Sequence, residues 1–150
     1  MNDKLKRFKE IFAEVSDLDS AEAVLGWDQQ VNMPAGGAEA RGNQLGTLGK
    51  LSHQIFTSEE VGKLLEELTG SVAGLDPDDE AMIRVAKRNY EKEIRVPSSY
   101  ITEMAMVSTR AHEAWVEARR KSDFSIFRPH LEKIVDMVHQ YISFFPPADH

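Results

Sequence analysis

A chain of 150 residues, 41% of them apolar and 29% charged, is long enough to bury a core and too apolar to be disordered. Eighteen basic against 25 acidic side chains leave a net charge of −7, so its field repels phosphate backbones and anionic lipid and argues against nucleic acid or a membrane surface as partner. The absence of cysteine excludes disulfides, thiolate zinc sites and cysteine nucleophiles.

No apolar run approaches the roughly 20 residues that cross a bilayer, and the start MNDKLKRFKEIF alternates charge with apolar residues, unlike a signal peptide. The expectation is a cytoplasmic protein with one helical domain over residues 1–150.

Leu5, Phe8, Phe12, Val15 and Leu18 recur every three or four positions and predict a first helix. Pro34 ends it, and Gly36-Gly37 open a second with Leu45, Leu48, Leu51 or Ser52, and Ile55 on one face. Gly42, Gly46 and Gly49 lie inside this second helix, each costing about 1 kcal/mol relative to alanine. Either a close helix contact offsets that cost, or the helix frays.

Ser58 is a candidate N-cap for a third helix with Val61, Leu64, Leu65 and Leu68 inward and Gly70 at its end. Residues 70–77 read as a linker. Asp76-Pro77 then starts a fourth helix running to about Arg95, with Ile83, Ala86, Tyr90 and Ile94 buried and i,i+4 pairs Glu80–Arg84 and Glu91–Arg95 in solvent. Val96-Pro97 interrupts the pattern, because proline disfavours helical geometry in the residue before it. A fifth helix carries Ile101, Met104, Ser108, Ala111, Trp115 and Ala118. Beyond a break at Ser122-Asp123, a sixth carries Phe127, Leu131, Ile134, Val138, Tyr141 and Phe145, stopped by Pro146-Pro147. The fold class is all-α, about six amphipathic helices in an antiparallel, bundle-like array.

Catalytic and metal-binding patterns are incomplete. The histidines are His53, His112, His130, His139 and His150. A His-Glu-x-x-His zinc site needs two imidazoles one helical turn apart, but His112-Glu113-Ala114-Trp115-Val116 offers valine as its fifth residue. Asp136 and His139 have the spacing of carboxylate-bridged di-metal bundles, which require a second copy that is missing, so they read as an exposed pair. Ser52 and His53 are sequence neighbours that diverge by about 100° on a helix and form no nucleophile–base pair. The Gly36-Gly37 and Gly42-Gly46 pairs lack the lysine and preceding strand of a phosphate loop, and Met33, Met104, Met106 and Met137 read as core filler.

Leu25-Gly26-Trp27-Asp28-Gln29, Met33-Pro34, Gly36-Gly37-Ala38, Arg41, Gln44-Leu45, Leu48 and His53 resemble the amino-terminal signature of the carboxypeptidase Taq family of zinc metallocarboxypeptidases. Tyr90-Glu91-Lys92, Val96-Pro97, Trp115, Ala118-Arg119, Ser122-Asp123-Phe124, Phe127, Pro129 and Leu131 continue the resemblance over almost the whole chain. It implies a mostly helical fold with a deep groove, frequent homodimers, and metal-dependent removal of C-terminal amino acids. It also implies that the family's zinc ligands and general base lie beyond the matched region, so the chain has no catalytic or metal residue and no cofactor of its own. This chain departs from the family pattern at Val31, at Gly42, Gly46 and Gly49, and at Gln54.

Trp27, Asp28, Gln29, Arg41 and Gln44 are the candidate site residues. They read either as a helix joint, with Trp27 and Met33 packed between helices, or as groove-facing side chains. The expected function is that of a truncated family member without peptidase activity of its own, assembling with itself or with a complementary helical chain. The alternative is one piece of an active metallocarboxypeptidase.

Overall fold

A computed structural model describes residues 2–34, 36–71 and 74–147. Six helices account for almost all of it: α1 (Asn2–Val31), α2 (Ala38–Phe56), α3 (Glu59–Thr69), α4 (Pro77–Glu93), α5 (Ser98–Lys121) and α6 (Arg128–Ser143), with one 3-10 turn at Phe124–Ile126. The fold is all-α, without a strand among the described residues. Residues 72 and 73 of the expected linker, and His150, lie outside the described residues.

The local chemistry of each end is visible. Pro34 disfavours helix at Met33, and the Asn32 and Met33 amides both close onto the Asp28 carbonyl, at 2.8 and 3.0 Å. Gly36 takes φ +89°, a left-handed conformation natural to glycine, before α2 begins. Ser58 accepts from the Val61 amide and caps α3, while Asp76 accepts from the Asp78 amide with Pro77 opening α4. Asp123 accepts from the Ser125 amide and turns the chain toward α6.

Two hydrophobic clusters result. Leu5, Phe8 and Ile11 of α1 pack with Val61, Leu64, Leu65 and Leu68 of α3 and with Ile83 and Ala86 of α4. Val96 and Tyr100 pack with Met137 of α6, where the Tyr100 hydroxyl donates to the Met137 carbonyl at 2.9 Å. Between the clusters, α2 lies against both α1 and α5.

The α2–α5 seam settles the question of the internal glycines in favour of close contact. Gly42, Gly46, Gly49 and Ser52 form the buried face of α2. A Cβ on Gly46 would stand 3.2 Å from the Thr102 methyl and 3.4 Å from its backbone oxygen. Small residues let the two backbones approach, and the contact offsets the weak helix propensity. Of the alternatives at the next step, Ser52 is buried and Leu51 exposed.

Several inward assignments need correction. Ile94 follows the last residue of α4 and is 52% exposed; Val96 is buried instead, where the chain turns into α5. On α5, Thr109 is buried while Ser108 and Trp115 are exposed, because the buried face follows the glycine seam. On α6, Met137 is the buried residue; Leu131, Val138 and Tyr141 are exposed, because α6 packs mainly on α5 and its opposite side meets no helix among the described residues. Phe12 is also partly exposed. Of the two expected ion pairs on α4, neither forms among the described residues; Arg95 donates to the Glu91 backbone carbonyl at 3.1 Å.

Gly26, within α1, faces open space: a Cβ added there would meet no atom within 4 Å. Gly26→Ala is therefore expected to stabilise the protein by about 1 kcal/mol through helix propensity alone, read as a higher urea midpoint with an unchanged slope.

Candidate functional site

Two polar assemblies sit on α1 and its neighbours. The first is a bracket at the α1–α2 joint. Arg41, near the start of α2, donates to the Leu25 backbone carbonyl, to Asp28 Oδ2 at 2.5 Å and to Gln44 Oε1 at 3.2 Å. The guanidinium fork thus ties the last turns of α1 to the first turns of α2. Donation from Arg41 holds the Asp28 carboxyl below the usual carboxylate range, with a smaller contribution from Asn32.

Of the five candidate residues, the structure brings Asp28, Arg41 and Gln44 together. Gln29 stands apart and accepts from the Thr109 hydroxyl of α5 at 3.4 Å. Trp27 is 61% exposed, which corrects the expectation that it packs between helices. The α2-facing side of α1 passes through Leu25 and Asp28, and the helical turn carries Trp27 away from it, alongside exposed Val24 and Val31. Met33 is half-buried.

The second assembly is one that sequence motifs do not reveal. Ser52 Oγ donates to Asp19 Oδ1 at 2.5 Å, joining α2 to the middle of α1. His53, whose side chain is largely buried, places Nε2 3.0 Å from the Glu93 carbonyl and Nδ1 3.1 Å from Ser98 Oγ. The carbonyl can only accept, so Nε2 carries a hydrogen, and the Ser98 hydroxyl is the partner of Nδ1. The imidazole therefore joins α2 to the end of α4 and the start of α5, and Ser52 and His53 serve different partners. The available signal was the i,i+3 run of Ser16, Asp19 and Glu22 on α1, polar positions without an obvious basic partner.

Asp19, Glu22, Ser52, His53 and Glu93 line a cleft of about 580 Å³ with Phe12, Val15, Phe56 and Ile101. Burial, and secondarily the charge of Asp19, pushes the Glu22 carboxyl up. A carboxyl with a raised folded-state pKa makes the native protein costlier when ionised and takes up its proton before the unfolded chain does. Glu22→Gln is therefore expected to raise the melting temperature at pH 7. Its advantage over the parent should shrink as pH falls through the raised folded-state value; an advantage constant from neutral to acid would remove the electrostatic cause.

No group of three histidine, aspartate or glutamate side chains among the described residues could hold a metal ion. His112 lies against the Trp115 ring, centroids 5.9 Å apart, and Asp136 and His139 are exposed on α6. No helix among the described residues is long and apolar enough to cross a membrane.

The family model for carboxypeptidase Taq (M32) metallopeptidase matches residues 7–150. Carboxypeptidase 1 of Bacillus subtilis is 29% identical over 145 residues, covering 97% of this chain and 29% of that protein. Thermostable carboxypeptidase 1 of Pyrococcus furiosus is 32% identical over 136 residues, covering 91% and 27% respectively. The BsuCP crystal structure matches with a TM-score of 0.92 at 28% identity, over 98% of this chain and 30% of that one. The chain belongs to the carboxypeptidase Taq (M32) metallopeptidase family, and it spans less than a third of the length of these relatives. The metal that the family name implies does not fit the donor set of the described residues: the near-motif at His112-Glu113 lacks its second imidazole, and Asp136 with His139 lacks a second copy.

Proposed function

We propose that the chain is a helical packing module of a carboxypeptidase Taq metallocarboxypeptidase and trims no peptide by itself. Removal of C-terminal amino acids then requires the metal-binding part, supplied by a longer product or by a second chain, and zinc or another divalent metal belongs to that part. What supports this reading is the uncovered stripe on α6: Leu131, Val135, Val138 and Ile142 recur at steps of four, three and four, all exposed, Ile142 by 60%. Covering such a stripe gains about 25 cal/mol per Å² of apolar surface removed from water. Val24, Trp27 and Val31 form a second exposed stripe, on α1. Two apolar faces on one chain suit a segment whose packing continues onto further helices.

In isolation the same faces favour self-association, so the free chain is expected to be a homo-oligomer and to exchange its copies for the complementary helices. Purified chain with added zinc or cobalt should release no C-terminal amino acid from peptides. It should sediment as a dimer or larger, and Val135→Asp with Val138→Asp should shift it to monomer. Zinc-dependent trimming by the isolated chain, abolished by His112→Ala, would overturn the proposal, and a monomer at all concentrations would remove its packing element.

A further inference from the structure

The helices α1 and α5 each pack along α2 but scarcely on one another, and a trench with α2 as its floor runs beside α1, its opposite wall given first by the end of α4, at Asn89 and Glu93, and then by α5. The cleft at Asp19 and Glu22 is one half of it. The other half, about 490 Å³, is lined by Gln29 and Gln30 of α1, Leu45 of α2, and Met104, Ser108 and His112 of α5. Glu22 and Ile101 line both halves, so the two adjoin, and together they follow α1 from Phe12 to Gln30, about 27 Å at the helical rise.

Its chemistry is one-sided. Phe12, Val15, Phe56, Ile101, Leu45 and Met104 give apolar walls, and Asp19 and Glu93 bring carboxyls to the first half while Glu22 stands where the halves meet. Among the described residues that line it there is no lysine or arginine, and neither Asp19 nor Glu22 makes an ion pair among the described residues. Carboxylates outside the trench are either paired, as Asp28, Glu60, Glu67 and Glu117 are with a basic partner within 3 Å, or exposed, as Glu80 and Glu91 are, whereas Glu22 is partly buried. Burial without compensation is also what raises the Glu22 carboxyl.

We propose that this trench seats one amphipathic helix of the complementary part, apolar on its inner side and carrying a lysine or arginine at its middle that meets Glu22 and Asp19. The assignment rests on the packing-module reading and names the chemistry of what is packed. A helix of about 18 residues fills the length, its apolar side covers the walls, and its cation supplies the charge that the lining lacks. Opposite charges brought together in such a partly desolvated groove discriminate between partners more than they add affinity.

The test uses the whole chain and two synthetic amphipathic peptides of about 18 residues with the same leucine face, one with lysines and one with glutamates on the other side. Amide shifts by NMR should place the lysine peptide along Ser16, Ile101 and Met104, and the glutamate peptide should bind at least about tenfold more weakly. Asp19→Asn with Glu22→Gln should weaken the lysine peptide about tenfold, a loss of one well-placed charge contact. Glu66→Gln with Glu80→Gln, an equal charge change at exposed positions elsewhere, should change binding less than about twofold. Equal weakening by both pairs, equal binding of the two peptides, or shifts confined to the α6 stripe would each overturn the proposal. Peptide release and sedimentation of the free chain report on the packing-module reading separately, since neither involves Asp19 or Glu22.

Discussion

Gly46→Leu is expected to destabilise the protein by about 3 kcal/mol or more, because the seam at that point has no room for a side chain. The Cβ alone would press on the Thr102 methyl at 3.2 Å, and the Thr102 backbone oxygen at 3.4 Å cannot rotate aside. The remaining atoms of leucine must then separate α2 from α5. That movement would also loosen Gly42 from Met106 and Gly49 from Ile101, and would lengthen the bond between Thr102 Oγ1 and the Gly46 carbonyl. Gly46→Ala makes the decisive comparison. It gains about 1 kcal/mol of helix propensity and is opposed by a squeeze of a few tenths of an ångström, so it should lie within about 1 kcal/mol of the parent. Urea unfolding of both variants measures the difference; a leucine variant as stable as the alanine one would show that the seam is not close-packed.

Phe8→Ala should cost about 3–5 kcal/mol, a large share of the roughly 5–15 kcal/mol that holds a domain of this size together. Phe8 is 1% exposed and lies in the cluster that joins α1 to α3 and α4, with its ring stacked on Phe12 at 5.9 Å. Removing the ring leaves a cavity that rigid neighbours such as Leu65 and Ile83 fill only in part. The surface pairs Lys4–Glu67, Arg7–Glu60 and Lys9–Asp79 bridge the same helices, but exposed pairs contribute little and cannot offset the loss. Phe124→Ala is the internal control: that ring is 60% exposed, and its loss should change stability by no more than about 0.5 kcal/mol.

The helices were legible because their punctuation is local. Ser58, Asp76-Pro77, Val96-Pro97 and the serine and aspartate at 122–123 act within a turn of where they stand, so the boundaries follow from neighbouring residues. Burial was less legible. Periodicity shows which side of a helix is apolar without showing whether anything lies against it, and so Val138 and Leu131 stand in solvent although their spacing is regular. Trp27 differs for a related reason: a large indole gains from burial only where a neighbour covers it, and α1 meets α2 on another side, through Leu25 and Asp28.

The bracket was half-visible. Asp28, Arg41 and Gln44 stand out through the resemblance to the family's amino-terminal signature, but the acceptor role of the Leu25 carbonyl depends on the angle between two helices. Spacing gives only a hint of the acidic trench, the i,i+3 run of Ser16, Asp19 and Glu22, and does not show that a groove lies beside it. The trench depends on how α1, the end of α4 and α5 stand about α2, a fact of tertiary arrangement, and Asp19 and Glu22 alone look like ordinary solvent-facing acids.

A single unbroken α1 has a mechanical consequence. Its amino-terminal half is embedded with α3 and α4, while its far end is riveted to α2 by the Arg41 guanidinium. Rotation of the α3–α4 pair would therefore be carried, as by a crankshaft, to the opposite end of the molecule, and slow amide exchange should persist along the whole rod rather than fade midway.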